Sequence, residues 1–500
     1  MEPRHAADSG PSFPDAIHAL PNTIAPAAEP ALEPLVEATD VELQDITVYE
    51  ALADSQILVT GAAGFVGTAL LHRLLRDAKF QVKTVVALVR AKSKVDALQR
   101  IPKTLHHFAD SVDAKAAPKL VVLSGDSSLP NFGLAGQDLA LLRKTDVVIH
   151  AAGNTQFTLS LAQAFELMVP LAFFGAQFSL LTPNVKTHIH ISTTFIGWYL
   201  SDGSVVSETL CPTAATSSPQ LGKHVNSYFE SKTYAESTVN TLFTAQAGRK
   251  PHGKTARIVR LATLGPAAEF PRPGWGSGHP ASPICAALAA EQVEQKLLMP
   301  HAALDVVPVD IAVNQILALT ASAYAMHRLP ATHHLHPLSP TCPTNKHLAE
   351  VPCYHVANGR NPQCMITLRK LNSAEFKILK PYVPGSSARK VYEPFFDKCV
   401  WFDVIKTRAV LGLGMEGQVQ VQEVETSTLK GRASANASAS AKGEAALADL
   451  PMRADDTLKL DALKVVRDNW KEEGWGGYLK LVRDEMEKLG PRADWEDFVN

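Results

Sequence analysis

Apolar and polar positions along this chain follow two rhythms. From Ile57 onward, short apolar runs rich in β-branched residues predict strands at 57–60, 84–89, 119–123, 146–149, 186–191 and 256–261. The intervals between them are long enough for crossover helices. That alternation predicts an α/β fold of Rossmann type, a doubly wound parallel sheet with helices on both faces. Residues 1–45, rich in Pro, Ala and acidic side chains, carry no such period and read as a disordered leader. After about residue 300 the rhythm fails, and "MHRLPATHHLHPLSPTCPTN" reads as a connection. Residues 428–448 are a small-residue, low-complexity insert, after which helical spacing returns between Leu458 and Leu489. The predicted divisions are therefore 46–380 for the main domain and 381–427 with 449–495 for the helical one. The close "NWKEEGWGGYLKLVRDEMEKLG" has enough aromatic residues to dock on another element.

Composition narrows the classes. With 500 residues and 46% hydrophobic content the chain can bury a large core and form more than one domain. Its 48 basic and 50 acidic residues leave a net charge of -2, which argues against a nucleic-acid partner. The cysteines at 211, 285, 342, 353, 364 and 399 form no CxxC pair, which suits reduced thiols in a cytoplasmic compartment. His327, His333, His334 and His336 lack accompanying Cys or carboxylate spacing, so no metal site is expected. The longest apolar window, 161–181, is interrupted by Gln163, Glu166, Gly175 and Gln177, so no integral membrane span is expected. The first residues lack the apolar core of a secretory signal. Peripheral contact with a membrane stays open, and the oligomeric state is unknown.

The chemistry begins at "ILVTGAAGFVGTALLHRLL". A strand ends on Thr60, glycines follow at 61, 64 and 67, and Phe65 and Val66 open an amphipathic helix. A first glycine permits the tight turn, a second lets backbone approach a pyrophosphate, and a third lets helix and strand pack closely. The helix N-terminus offers unpaired N–H groups to the anion. The spacing is GxxGxxG, and its position between strand and helix is what gives it weight. At the end of the next strand, where an acidic residue would bind the ribose 2′-hydroxyl of NAD, the chain has Arg90 and Lys92. Cations there suit a 2′-phosphate and hence NADPH. Asp126 ends the third strand within reach of an adenine amino group, and His150, Ala151 and Ala152 end the fourth, where small residues let a cofactor lie against backbone.

The catalytic candidates follow. Tyr228-x-x-x-Lys232 sets a phenol and an ammonium on one helix face. A phenol ordinarily titrates at about 10, and a neighbouring ammonium favours its ionised form, making it a better proton donor and acceptor near neutrality. With nine tyrosines a chance match is easy, so position matters: the motif lies after the fifth strand, whose end supplies hydroxyls at Ser192, Thr193 and Thr194. One of these can join Tyr228 at a substrate carbonyl and stabilise its oxyanion.

Taken together, "VTGAAGFVG", "LLHRLL", "ALVRAKS", "HAAGNTQF" and "STTF" resemble the extended short-chain dehydrogenase/reductase superfamily, and more narrowly its fatty acyl-CoA reductase and thioester reductase branch. "EFPRPGW", "LDVVPVDIAVN" and "CYHVANGRNPQ" are similar to fatty acyl-CoA reductases in particular. The resemblance covers about residues 46–380, and more weakly 388–490, and it implies a smaller substrate-side region and a C-terminal helical domain beside the sheet. It implies NADPH-dependent reduction of a long-chain acyl-CoA, through a hemithioacetal and an aldehyde, to a primary alcohol. It also implies Tyr228 as proton donor, Lys232 as its partner and holder of the ribose, and Thr193, with Ser192 as the alternative, as the assisting hydroxyl. Two departures stand out: Met168 occupies the position of an asparagine that supports a proton relay, and Leu261 replaces a proline. The competing readings are a two-electron thioester reductase acting on CoA-bound or carrier-bound acyl groups, a sugar-nucleotide epimerase or dehydratase, and a non-catalytic NADP-binding protein. For the acyl chain, 269–310 with Trp275 and "ICAALAA" is the candidate mouth, while Asp305 and Asp310 read as loop ties.

Overall fold

The computed structural model describes residues 46–109, 119–157, 159–197, 199–210, 227–245, 253–277, 303–327, 350–361, 365–367, 399–413, 458–471 and 473–489. The leader, most of the His-rich connection, the insert at 428–448 and "ICAALAA" lie outside them.

In chain order the strands are β1 (Gln56–Thr60), β2 (Thr84–Val89), β3 (Leu120–Ser124), β4 (Val147–His150), β5 (Thr187–Thr193), β6 (Val205–Val206), β7 (Thr255–Leu261), β8 (Thr263–Gly265), β9 (Ala303–Pro308), β10 (Cys353–Val356), β11 (Met365–Thr367) and β12 (Trp401–Phe402). The helices are α1 (Val48–Leu52), α2 (Phe65–Arg76), α3 (Lys94–Gln99), α4 (Gly136–Leu142), α5 (Leu161–Leu181), α6 (Ser227–Ala245), α7 (Val309–Ala325), α8 (Ile405–Val410), α9 (Ala462–Trp470) and α10 (Trp475–Leu489). Seven strands form one sheet in the order β10-β7-β5-β4-β1-β2-β3, every neighbouring pair parallel. Strand order reverses between β1 and β4, the crevice where this fold class binds its ligands.

Buried residues β1 and β2 read as continuous apolar runs because both faces of the sheet are covered. Alternate side chains point to opposite faces. Ile57, Val59, Val85, Ala87, Ile149, Ile189 and Val259 pack in one cluster with α2 and α7. Leu58, Val86, Leu88 and Val148 pack in another with Leu142 of α4 and Phe178 of α5, and Ala256 and Ile258 meet Ala172, Ala176, Ala235 and Val239 of α5 and α6.

One expectation is corrected, and the apolar window at 161–181 takes its place in the fold. The parallel rhythm continues past residue 300: α7 crosses over the sheet and β10 adds beside β7, pairing Cys353 with Ile258. Asp305 and Pro308 break the apolar run of β9, and α7 is buried on nearly every side, so it shows no polar face to read. Secondly, α5 is a 21-residue helix long and apolar enough to cross a membrane by length and composition. Its Ala164, Met168, Ala172, Ala176 and Phe178 are buried, so its apolar content is used in covering the sheet and α6. Ser160 and Gln163 form a capping box that starts it.

The aromatic C-terminus docks as its composition suggested. Trp475, Tyr478, Leu479 and Val482 are buried in the α2–α7 cluster, and the Tyr478 hydroxyl donates to the Pro266 carbonyl (2.7 Å). Asp310 accepts the amides of Ala268, Glu269 and Phe270 (2.8–3.0 Å), and Asp305 accepts the amide and side-chain N–H of Asn358, so both tie loops. Cys353 and Cys399 are buried thiols outside any disulfide. His327 meets Thr255 Oγ1 at 3.2 Å.

Candidate active site

The glycine turn shows why those residues stand there. Gly61 has φ +64°, and a Cβ on it would lie 2.7 Å from the Ala151 carbonyl oxygen. A Cβ on Gly67 would run into the Gly61 carbonyl oxygen and the Ala62 Cα, both backbone atoms that cannot swing aside. Gly64 caps α2 without any side-chain hydrogen bond, so the N-terminus of the helix that Phe65 and Val66 begin presents its positive dipole end to an anion. Thr60 ties the neighbouring strand end: its Oγ1 meets His150 Nδ1 (2.9 Å) and accepts the Ala152 amide (3.1 Å). Ala151 and Ala152 therefore line the switch point beside the turn. This cradle of close backbone at a helix N-terminus fits a dinucleotide pyrophosphate.

Around it, Arg90 and Lys92 follow β2 and are exposed, with the Arg90 carbonyl held by the Arg100 guanidinium. Asp126 follows β3, and its Oδ1 accepts from the Ser128 amide (2.9 Å) and hydroxyl (2.6 Å), so part of its carboxylate is spent on its own turn.

On the other side of the switch point, Tyr228 and Lys232 sit one turn apart on α6, started where the Ser227 hydroxyl donates to the Leu159 carbonyl (2.7 Å). The Tyr228 ring is partly buried and stands edge-on to Phe157, 5.1 Å between centroids. Among the described residues its hydroxyl has no hydrogen-bond partner. Lys232 is 5% exposed, and its Nζ donates to the Ile191 carbonyl (3.1 Å). Burial pulls the Lys232 ammonium down to about 8, with Glu236 opposing, and the same desolvation pushes the Tyr228 phenol above its ordinary value. The ammonium is engaged with a carbonyl, and among the described residues nothing joins it to the phenol.

The β5 hydroxyls divide by strand alternation. Ser192 is buried with an unpartnered Oγ. Thr193 Oγ1 is 3.4 Å from the Leu261 carbonyl and accepts the Phe195 amide at 3.3 Å, and Thr194 Oγ1 also reaches the Leu261 carbonyl. Thr193 is thus the tethered hydroxyl and Ser192 the unengaged one. Leu261 provides that anchoring carbonyl. Met168 fills space beside Lys232: a Cβ on Gly153 would lie 3.3 Å from Lys232 Nζ and 3.6 Å from Met168 Cε, and the Met168 sulfur accepts the Asn154 amide.

Three features escaped the sequence reading. Glu236, one turn past Lys232, accepts Nε and Nη2 of Arg260 (2.9 and 2.7 Å), with both side chains essentially unexposed. Arg260 Nη1 reaches His355 Nε2 (3.2 Å), and His355 Nδ1 meets the Asp403 carbonyl (2.7 Å). Since a carbonyl only accepts, Nδ1 carries the proton and Nε2 accepts from Arg260. Glu208, tied to the amides of His355 and Lys406 and to the Thr407 hydroxyl, binds α8 to the sheet edge. A signal existed: an arginine inside the apolar "TARIVRL" requires a buried partner. The third is a histidine column on β4 and β5.

A reversing parallel sheet, a glycine turn opening onto an uncapped helix and a tyrosine–lysine pair across the switch point define an NAD(P)-binding oxidoreductase of Rossmann type. The chain belongs to the NAD-binding family described as male sterility protein, whose model matches residues 59–316. It is 26% identical to fatty acyl-CoA reductase 2 of Mus musculus over 310 residues, 56% of this chain and 57% of that protein. It is 25% identical to fatty acyl-CoA reductase 1 of Homo sapiens over 306 residues, 55% and 56% of the two chains. The chain thus spans about half the length of these curated relatives. Among solved structures, the terminal R domain of a myxalamid PKS-NRPS pathway matches with a TM-score of 0.49 and 19% identity, over 77% of this chain and 92% of that one.

Proposed function

We propose that the protein reduces long-chain acyl-CoA thioesters with NADPH, through the aldehyde, to primary alcohols. The observation that carries the reading is a turn that fits a pyrophosphate, in a sheet whose α6 carries Tyr228 and Lys232 one turn apart and whose β5 ends on the Ser192 and Thr193 hydroxyls. The names of the relatives support the thioester as substrate. Thr60, Gly61, Gly64, Phe65, Val66, Gly67, Ala151 and Ala152 would hold the dinucleotide, Arg90 and Lys92 its 2′-phosphate, and Asp126 its adenine. When bound, NADPH supplies hydride to the carbonyl carbon.

The chain's own residues do the rest. Thr193, with Ser192 as the alternative, donates to the carbonyl oxygen as negative charge develops. Tyr228 gives its proton to that oxygen, and Lys232 compensates the phenolate. The hemithioacetal then collapses with loss of CoA, and the same residues serve the aldehyde in a second reduction. Met168 beside Lys232 motivates the non-catalytic alternative, because a thioether passes no proton.

Adding a long-chain acyl-CoA to protein and NADPH tests the reading: NADPH oxidation with release of CoA is expected, and bound NADPH that no thioester oxidises contradicts it. Arg90→Ala is expected to weaken NADPH binding about tenfold or more while sparing NADH, the size of a lost charge-assisted hydrogen bond. Equal loss for both dinucleotides removes the argument for a 2′-phosphate contact.

A further inference from the structure

The loop at 266–277 lies between α2, which the glycine turn opens, and the C-terminal helices. It closes on itself where the Ala267 amide donates to the Trp275 carbonyl and the Gly274 amide to the Ala267 carbonyl (both 2.8 Å). Its rings rest on α2. Trp275, half-buried, stacks on Phe65 with 5.7 Å between centroids and 17° between planes, and meets His72 edge-on at 5.5 Å. Phe65 and His72 share one face of α2, so the indole spans the first two turns of that helix. Phe270 lies beneath the Arg73 guanidinium, 4.9 Å from ring centroid to Cζ. Gly276 closes the other flank: its φ is +87°, and a Cβ on it would lie 2.5 Å from Phe65 Cε2, so glycine is what lets backbone approach that ring.

From its far side the loop is gripped by the C-terminal segment. The Tyr478 hydroxyl of α10 donates to the Pro266 carbonyl (2.7 Å), and Arg272 pairs with Glu485 (2.7 Å), whose side chain lies against Gly274. Glu269 accepts from Lys459 (2.5 Å) and from Asn469 of α9 (2.8 Å). Phe65 gives this arrangement a chemical consequence. It is the first residue of α2, next to Gly64, and only 8% exposed. A helix presents its positive end to an anion while its first turn is formed, and helix ends fray. No side-chain hydrogen bond caps α2 at Gly64, so the packing of Trp275 and Gly276 on Phe65 stands in for a cap.

We propose that Trp275 is a positioning residue of the dinucleotide site: held in place by α9 and α10, it packs Phe65 so that the first turn of α2 is already formed when the pyrophosphate arrives. The proposal rests on the glycine turn binding NADPH. It gives Trp275 a different task from the acyl-chain mouth that the sequence suggested. A helix end ordered beforehand binds its anion more tightly than one that must be ordered on binding. The pyrophosphate is common to NADPH and NADH, so loss of the indole weakens both alike, whereas Arg90→Ala spares NADH. The indole stacks on α2 and not on Tyr228, so the reduction step itself keeps its rate once the cofactor is bound.

Trp275→Ala and Trp275→Phe are made in the full chain, with Leu142→Ala in the cluster on the other face of the sheet as a control for lost packing. Fluorescence titration reads the dissociation constants of NADPH and NADH, and initial rates with a long-chain acyl-CoA give kcat and the thioester KM. Trp275→Ala is expected to raise both dissociation constants about tenfold, the size of one side chain's ordering, with kcat at saturating NADPH and the thioester KM unchanged. Trp275→Phe, which keeps a stacked ring, should restore wild-type affinity. Tyr478→Phe combined with Arg272→Ala cuts the loop from α10 and should raise both constants in the same direction. Unchanged affinity in Trp275→Ala overturns the proposal, as does a rise confined to the thioester KM, which would return Trp275 to the acyl chain, or an equal loss of affinity in Leu142→Ala. Unchanged affinity in the double variant overturns the part given to α10. If Trp275→Ala does not fold, Trp275→Leu decides by the same constants. Wild-type protein that binds neither dinucleotide overturns the underlying reading; wild type and Trp275→Ala binding both equally well overturns the proposal alone.

Discussion

Tyr228→Phe lowers kcat for thioester reduction by about 10²–10⁴-fold, the range for losing a positioned proton donor. The substitution removes one oxygen and keeps the ring against Phe157, so packing is preserved. Among the described residues that oxygen has no hydrogen-bond partner, so its removal orphans nothing. NADPH affinity, measured by fluorescence titration, should match wild type, because the pyrophosphate cradle lies across the sheet on β1 and α2. Turnover equal to wild type would remove Tyr228 as proton donor. A parallel loss of NADPH binding would mean that the phenol holds the cofactor.

The second large effect is on stability. Glu236→Ala leaves the fully buried Arg260 guanidinium without the carboxylate that accepts its Nε and Nη2. Removing one member of a buried ion pair costs about 3–5 kcal/mol, against about 0–1 kcal/mol for an exposed one such as Lys94–Asp138. Chemical denaturation of both variants reads the difference. Replacing the pair together, as Glu236→Leu with Arg260→Met, should recover most of the loss, since the charge and its partner leave together. A Glu236→Ala cost under about 1 kcal/mol would place the pair with ordinary surface bridges. The effect also touches catalysis, because Glu236 is the group that opposes the lowering of the Lys232 ammonium.

The sheet was legible because parallel strands covered on both faces must be written as unbroken apolar runs. β1, β2, β3, β4, β5 and β7 fall within two residues of the runs that predicted them. β10 was not, since "CYHV" is short and the partner that makes it a strand lies about 90 residues earlier in the chain. The glycine turn and Tyr228–Lys232 were legible because their spacing is local, three residues and one helical turn. Residue types alone did not rank Ser192 and Thr193, and the family resemblance put Thr193 first. Only the strand's alternation, with Leu261 anchoring one and nothing engaging the other, separates them. The histidine column was hidden for the same reason: His150 and His190 meet through strand pairing, not through spacing.

The central claim is that one site takes a thioester through two successive reductions. Its most direct measurement is the ratio of NADPH oxidised to CoA released with a long-chain acyl-CoA, with products extracted and identified. Two NADPH for each CoA, with primary alcohol as product, is the result predicted. One for each CoA with aldehyde accumulating would contradict the second reduction, and CoA release without NADPH oxidation would contradict reduction altogether.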